Sequence, residues 1–170
     1  YIFTNNKGRI SMSALDIYKG KTVLITGNTG FKGSWLSTWL TKLGANVYGY
    51  SLDPPTTPNM YDAINLNQHM NSKFGDIRNF DYFKLYSVDL VMPDIIFHLA
   101  AQPIMRKSIE EPVLTLETNF LGTVNVLEAI RTLRPIKAGV FITSDKCYEN
   151  KPVDGGYKET CRLGVIFIFS

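Results

Sequence analysis

Short apolar runs alternate along the chain with stretches of helical period. "TVLITG" (22–27) is β-branched, apolar and ends in glycine, the pattern of a strand buried on both faces. "FKGSWLSTWLTKLG" (31–44) follows. Its Leu36, Trp39, Leu40 and Leu43 recur at helical spacing, and Gly44 stands where a C-terminal cap belongs. "NVYGYSL" (46–52) reads as a second strand, and "DPPTTPN" (53–59) as a loop, because its three prolines can continue neither element. A short helix is predicted over Asp81–Ser87, and a third clear strand in "DIIFHLA" (94–100). A long helix is predicted over Val113–Leu133, with Leu116, Phe120, Val124 and Leu127 along one side and Pro135 ending it. "KAGVFITS" (137–144) gives a fourth strand. Continuously apolar strands that alternate with helices predict βαβ units, hence an α/β, doubly wound parallel sheet covered on both faces.

The most informative junction is "LITGNTGFKGSW" (24–35), where Gly27, Gly30 and Gly33 fall every third residue between a strand and a helix. A helix start presents unpaired N–H groups and the positive end of its dipole, so this turn is an anion site in waiting. Gly27 permits a sharp exit from the strand. Gly30 lets a pyrophosphate approach the backbone, and Gly33 lets the helix lie close to the sheet. A triphosphate-binding loop needs G-x-x-x-x-G-K-[ST], and Lys32 occupies the place of its second glycine, so that reading fails. For the adenosine ribose, Asp53 lies 20 residues past Gly33. Ser51 could equally face the ribose, which leaves NAD against NADP open. Asp76 and Ile77 of "GDIRN" are candidate neighbours of the adenine ring.

Charge and composition narrow the class. The net charge is +3, with no basic run that would follow a phosphate backbone, which argues against nucleic acid as a partner. No apolar run approaches the roughly 18 residues of a membrane span, and no signal peptide is visible at the start. Cys147 and Cys161 lack metal-ligand company and make no disulfide framework, so no metal is expected and a reducing cytoplasm fits best. The chain begins at Tyr1, and "YIFTNNKGRIS" is polar without period. Residues 1–11 read as a disordered leader or an over-extended reading frame, with Met12 the more natural start.

Five stretches, "TGNTGFKGSW", "GDIRN", "FHLAAQP", "TNFLGTVNVLEAIR" and "ITSDKCYEN", together resemble the N-terminal half of the extended short-chain dehydrogenase/reductase family. Within that family they resemble the sugar-nucleotide 4,6-dehydratases that act on CDP-glucose. The resemblance runs from about Lys19 to Asn150. It implies a Rossmann-like fold with bound NAD, and a lyase reaction that serves dideoxyhexose and surface polysaccharide synthesis. The implied organisation is a leader over 1–18, an NAD-binding domain over 19–150 and an aberrant or truncated tail over 151–170. By resemblance, the turn Gly27, Asn28, Thr29, Gly30, Phe31, Lys32 and Gly33 holds the pyrophosphate. Ser51 or Asp53 meets the ribose, and Asp76 and Ile77 meet the adenine. Leu99, Ala100, Ala101, Gln102 and Thr143 line the cofactor, and Asn119 sits behind the active site. His98 reads as structural. Ser144 would hold the hexose O4, Asp145 would act as general acid on the departing C6 hydroxyl, and Lys146 would assist. The implied chemistry takes hydride from C4 to NAD, loses water across C5 and C6, and returns hydride to C6. The long helices of the family often pair into a homodimer, for which Val113–Leu133 is the candidate.

The match stops after Asn150. The family's base is the tyrosine of Tyr-x-x-x-Lys, and no such spacing occurs in the chain. Where the family has a tract near "GGYDPYS", the chain reads "GVIFIFS" and stops, which is read as a frameshift with early termination; a genuine variant end is the alternative. "PVDG" (152–155) replaces an expected tryptophan-rich tract, and Asn28 stands in place of a usual histidine. The uncharged, β-prone tail is an aggregation hazard. The reading is thus the NAD-binding half of a dehydratase, inactive by itself. A sugar-nucleotide epimerase or reductase relative, and a non-catalytic dinucleotide-binding module, stand as alternatives.

Overall fold

A computed structural model describes residues 12–132, 136–144, 147–149, 151 and 155–164. The strands are β1 (Thr22–Thr26), β2 (Asn46–Ser51), β3 (Asn71–Phe74), β4 (Ile95–His98) and β5 (Ala138–Phe141). They form one parallel sheet in the order β3-β2-β1-β4-β5. The doubly wound α/β fold read from the alternation is therefore present. The strand count is corrected from four to five, because β3 carries no hydrophobic signal. "NSKF" lies at a sheet edge with every side chain at least partly exposed, so nothing in its composition demanded a buried strand.

The helices are α1 (Met12–Leu15), α2 (Phe31–Lys42), α3 (Met60–Ala63), α4 (Phe80–Lys84), α5 (Met105–Glu110), α6 (Pro112–Leu116) and α7 (Gly122–Thr132). A π-helical stretch, Leu85–Val91, extends α4, and another, Glu117–Leu121, joins α6 to α7, so that 112–132 runs as one helix with an inserted wide turn. Gly44 takes φ +82° just past α2, where its N–H reaches the Thr41 carbonyl. Of the segment read as a leader, Asp16–Tyr18 form a 3₁₀ turn after α1, and the Tyr18 ring lies 6.3 Å from that of Phe97. Residues 1–11, Pro135 and the final six residues of the tail lie outside the described residues.

Each sheet face has its own core. Val23, Ile25, Val47, Ile95 and Phe97 pack with Leu40 of α2 and Tyr61 of α3 on one side. Leu24, Tyr50 and Ile96 pack with Phe83, Val126 and Ala129 on the other. Alternate residues of β1 thus enter opposite cores, and their complete burial explains the unbroken apolar run. The helix 112–132 turns Gly122, Asn125, Val126 and Ala129 inward. Its apolar side faces out, with Phe120 70% and Leu127 49% exposed.

Candidate functional site at the sheet's carboxyl edge

The strand order reverses direction between β1 and β4, the place where doubly wound sheets open a crevice beyond their carboxyl ends. The turn after β1 and the loop after β4 form its floor, and they touch. Gly27 takes φ +75°, and a Cβ on it would stand 2.8 Å from the Ala100 nitrogen. Its N–H donates to the Tyr50 carbonyl at 2.9 Å. A Cβ on Gly33 would overlap the Gly27 carbonyl oxygen, so the turn folds flat onto the first turn of α2. Both positions need glycine, one for conformation and approach, the other for approach alone.

The start of α2 is open. Gly30 is its N-cap, no side chain caps it, and its first turn holds no acidic residue. Its first N–H groups have no intrahelical partner, and the helix dipole adds positive potential there. Phe31 and Lys32 stand exposed at this mouth.

The other candidates divide into those that face the crevice and those that support it. Asn28 is fully buried, and its Nδ2 donates to the Ser72 hydroxyl at 3.1 Å. The Ser51 hydroxyl lies 2.8 Å from Asn28 Oδ1 and 3.1 Å from Thr29 Oγ1, while the Thr29 hydroxyl donates to the Leu52 carbonyl at 2.9 Å. These three side chains stitch the turn to β2 and β3 and are occupied with one another. Asp53, exposed just beyond β2, is the carboxylate that remains turned to solvent at the strand's end.

After β3, the Ile77 side chain enters the core and the Tyr50 hydroxyl donates to the Asp76 carbonyl at 3.2 Å. Arg78 holds the Asp76 carboxylate in a 2.6 Å ion pair, which keeps that carboxyl below its usual range. Beyond β4, Asn119 grips the main chain of Gln102 from both sides. Its Oδ1 accepts from the Gln102 N–H at 2.7 Å and its Nδ2 donates to the Gln102 carbonyl at 3.1 Å. The Gln102 side chain is bound in turn to Ile104 and Thr115. Leu99 and Ala100 are half-buried and Ala101 is exposed. Thr143 and Ser144 are exposed after β5, on the same edge. Asp145 and Lys146 lie outside the described residues.

His98 ends β4 as a relay. The Thr123 hydroxyl donates to the Asn119 carbonyl at 2.6 Å, so it accepts from His98 Nε2 at 3.1 Å. That assigns the proton to Nε2 and leaves Nδ1 to accept from the Thr26 hydroxyl at 2.7 Å. The Leu99 and Ala100 N–H groups converge on the same Thr26 oxygen at 3.2 Å. Burial pushes the imidazole down to about 4, so it stays neutral and serves structure. Thr26, Arg78, Glu117, Thr123 and Asn125 were not singled out from the sequence. The signal available was the polar and small side of the long helix, Thr115, Asn119, Thr123 and Asn125, opposite the apolar stripe.

With this geometry in hand, similarity to known proteins decides the family. A family model described as GDP-mannose 4,6 dehydratase matches residues 24–162. The chain belongs to that family. It is 49% identical over 149 residues to a CDP-glucose 4,6-dehydratase of Salmonella typhimurium, covering 88% of this chain and 41% of that relative. The chain therefore spans less than half the length of this curated relative. An epimerase structure from Methanothermobacter thermautotrophicus superposes with TM-score 0.69 at 28% identity, over 87% of this chain and 42% of the other. A UDP-glucose-4-epimerase of Stenotrophomonas maltophila, solved with bound NAD and formylated UDP-arabinopyranose, shares the fold at TM-score 0.70 and 22% identity, over 85% of this chain and 43% of the other. The member chain's fold is thus the one that the extended short-chain dehydrogenase/reductase resemblance implied. Among the described residues no helix is long and apolar enough to cross a membrane.

Two measurements test the site's construction. Gly33→Ala forces a methyl against the Gly27 carbonyl and lowers unfolding free energy by about 1–3 kcal/mol, whereas Gly30→Ala, whose Cβ meets nothing nearer than 3.4 Å, costs less than about 1 kcal/mol; denaturant titration compares them. For His98, the folded value of about 4 lies below the ordinary 6.5. Between these values the unfolded chain binds a proton that the folded chain refuses, so stability falls as pH drops from 6.5 towards 4, by about 3 kcal/mol in all. Urea midpoints at pH 5 to 7 for wild type and His98→Asn check this, and the variant's profile is flat over the upper part of that window.

Proposed function

We propose that this chain is the NAD-binding half of a CDP-glucose 4,6-dehydratase. The observation that carries the cofactor reading is the uncapped start of α2 above a turn flattened by Gly27 and Gly33. Donors there converge with no side chain in the way, which fits a pyrophosphate. The 49% identity to the Salmonella enzyme carries the choice of CDP-glucose over other sugar nucleotides. The epimerase alternative has the weaker sequence support, since epimerases match at lower identity than the CDP-glucose enzyme does.

On this reading the amides from Asn28 to Lys32 bind the diphosphate, and Asp53 accepts from the adenosine ribose, which favours NAD over its 2′-phosphorylated form. The loop Gly75–Asn79 borders the adenine through Asp76 and the backbone of Ile77. Leu99 to Gln102 and Thr143 border the cofactor beyond β4 and β5. Bound NAD supplies reversible hydride acceptance at the sugar C4 and its return at C6. Ser144 hydrogen-bonds the hexose O4, Asp145 protonates the departing C6 hydroxyl, and Lys146 sustains that acid's charge balance. No Tyr-x-x-x-Lys stands in these 170 residues to take the O4 proton. The chain by itself therefore binds cofactor without completing the reaction. The reaction belongs in the cytoplasm, where sugar nucleotides are made, and its product feeds dideoxyhexose synthesis.

The outward stripe of Leu116, Phe120, Val124 and Leu127 is the face for a second copy. It is apolar, it repeats at helical spacing on a continuous helix, and two such stripes are complementary about a two-fold axis.

Isothermal titration is expected to show one NAD site per chain of micromolar affinity, and incubation with CDP-glucose and NAD to yield no 4-keto sugar. Absence of binding refutes the cofactor reading, and appearance of the keto product refutes the inactivity. Sedimentation velocity is expected to show a dimer that Phe120→Asp converts to monomer with little change in thermal midpoint. A monomeric wild type contradicts the pairing.

A further inference from the structure

One guanidinium ties the loop after β3 to the long helix. Arg78 Nε lies 3.1 and 3.0 Å from the two Asp76 carboxylate oxygens, and Nη2 donates to Asp76 Oδ2 at 2.6 Å. Nη1 turns the other way and donates to Glu117 Oε2 at 3.0 Å. Glu117 opens the π-helical turn whose third residue, Asn119, holds both main-chain groups of Gln102. Eight residues on from Glu117, Asn125 Nδ2 donates to the carbonyls of Ile77 and Arg78 at 2.9 and 3.2 Å. The wide turn thus presents, two residues apart, the groups that hold the loops on opposite flanks of the crevice. Wide turns of this kind concentrate at functional sites.

We propose that Arg78 and Glu117 are positioning residues, a latch by which the helix 112–132 sets the spacing of the Gly75–Asn79 and Leu99–Gln102 loops and so preorganises the adenosine side of the dinucleotide site. The proposal rests on the dinucleotide reading above. The Arg78–Asp76 pair is local and forms within its own loop. The Glu117 arm carries it across to the helix, 39 residues away in sequence, beside the bonds that Asn125 gives to the loop carbonyls. The planar fork of arginine can serve both carboxylates at once, which a lysine ammonium cannot do with the same fixed geometry. The pair is partly exposed, with Arg78 34% and Glu117 46% accessible, so its work is geometric more than energetic.

The test separates the latch from the cofactor. Amide hydrogen exchange on the unliganded chain is expected to rise at 75–79 and 99–102 in Glu117→Ala, to a lesser degree in Glu117→Gln, and to stay unchanged in β1 and β4. Titration of the same proteins with NAD, ADP-ribose and nicotinamide mononucleotide is expected to show NAD and ADP-ribose weakened about two- to fivefold in Glu117→Ala. Glu117→Gln falls between, and the mononucleotide, which lacks adenosine, is unaffected. Unchanged loop exchange overturns the latch whatever the ligands do. Equal weakening of all three ligands, or none, overturns its positioning role. A wild type that binds neither NAD nor ADP-ribose, with the loop exchange rising as expected, refutes the dinucleotide reading and the adenosine clause while upholding the latch between the loops.

Discussion

At Gly27 three stretches of main chain come together with no side chain between them. The Ala100 amide stands on one side, the Tyr50 carbonyl accepts its N–H, and Gly33 lies over its own carbonyl. This convergence is possible only where the sheet changes winding direction, because only there do the loops after β1 and β4 diverge from a common seam. Everything else at the carboxyl edge takes its position from that contact. The turn aims the start of α2, the buried amide of Asn28 pins the turn to β2 and β3, and Thr26 gathers the amides of Leu99 and Ala100 beneath it. A methyl group at either glycine would force backbone against backbone, which no rotamer change can relieve.

The long helix has two unlike faces, and each answers to a different constraint. Its inner face carries Thr115, Asn119, Thr123 and Asn125 in place of a continuous apolar stripe, because it meets loop backbones as well as the sheet. Buried loop N–H and C=O groups cannot pair with a strand, so side-chain amides and hydroxyls take them. His98 completes this arrangement by reading the helix through Thr123 and the sheet through Thr26. Val126 and Ala129 still enter the core from the inner face, while Leu116, Phe120, Val124 and Leu127 stand exposed on the opposite side.

The readable and unreadable parts of the sequence follow from this. β1, β2 and β4 were legible because central strands need apolar side chains on both faces, and β5, though an edge strand, still carries the apolar run of "KAGVFITS"; β3 was not legible, since an edge strand with partial exposure makes no such demand. Gly27 and Gly33 of the turn were legible because close backbone approach excludes a side chain there, whereas a Cβ on Gly30 would meet no such contact. Asn28 and Ser51 bond to each other and Ile77 enters the core, an arrangement spacing cannot foresee, because it does not tell a side chain that faces outward from one that faces the core. The Arg78–Glu117 contact had no signature, since neither charge belongs to a periodic pattern and their separation along the chain is set by the fold alone. Helix period located the stripe from Leu116 to Leu127 but not which side of it was buried.

The two kinds of site group also differ in how far they depend on the remainder of the polypeptide. The proposed phosphate cradle lies wholly within the β1–α2 unit, where seven consecutive residues, Gly27 to Gly33, form the bend and the uncapped helix start. Acid–base chemistry, as proposed, instead needs Ser144 and its neighbours beyond β5, and β5 is an edge strand of this sheet with its side chains largely exposed. An edge is held by one neighbour's hydrogen bonds and less packing than a central strand, so groups beyond it are less tightly fixed than those beyond β1. On the proposed reading, the cofactor groups are thus held within one βα unit, whereas the acid–base groups follow an exposed edge strand. The sheet order accounts for the difference: β1 and β4 are central and flank the switch point, while β5 lies at the margin of the sheet.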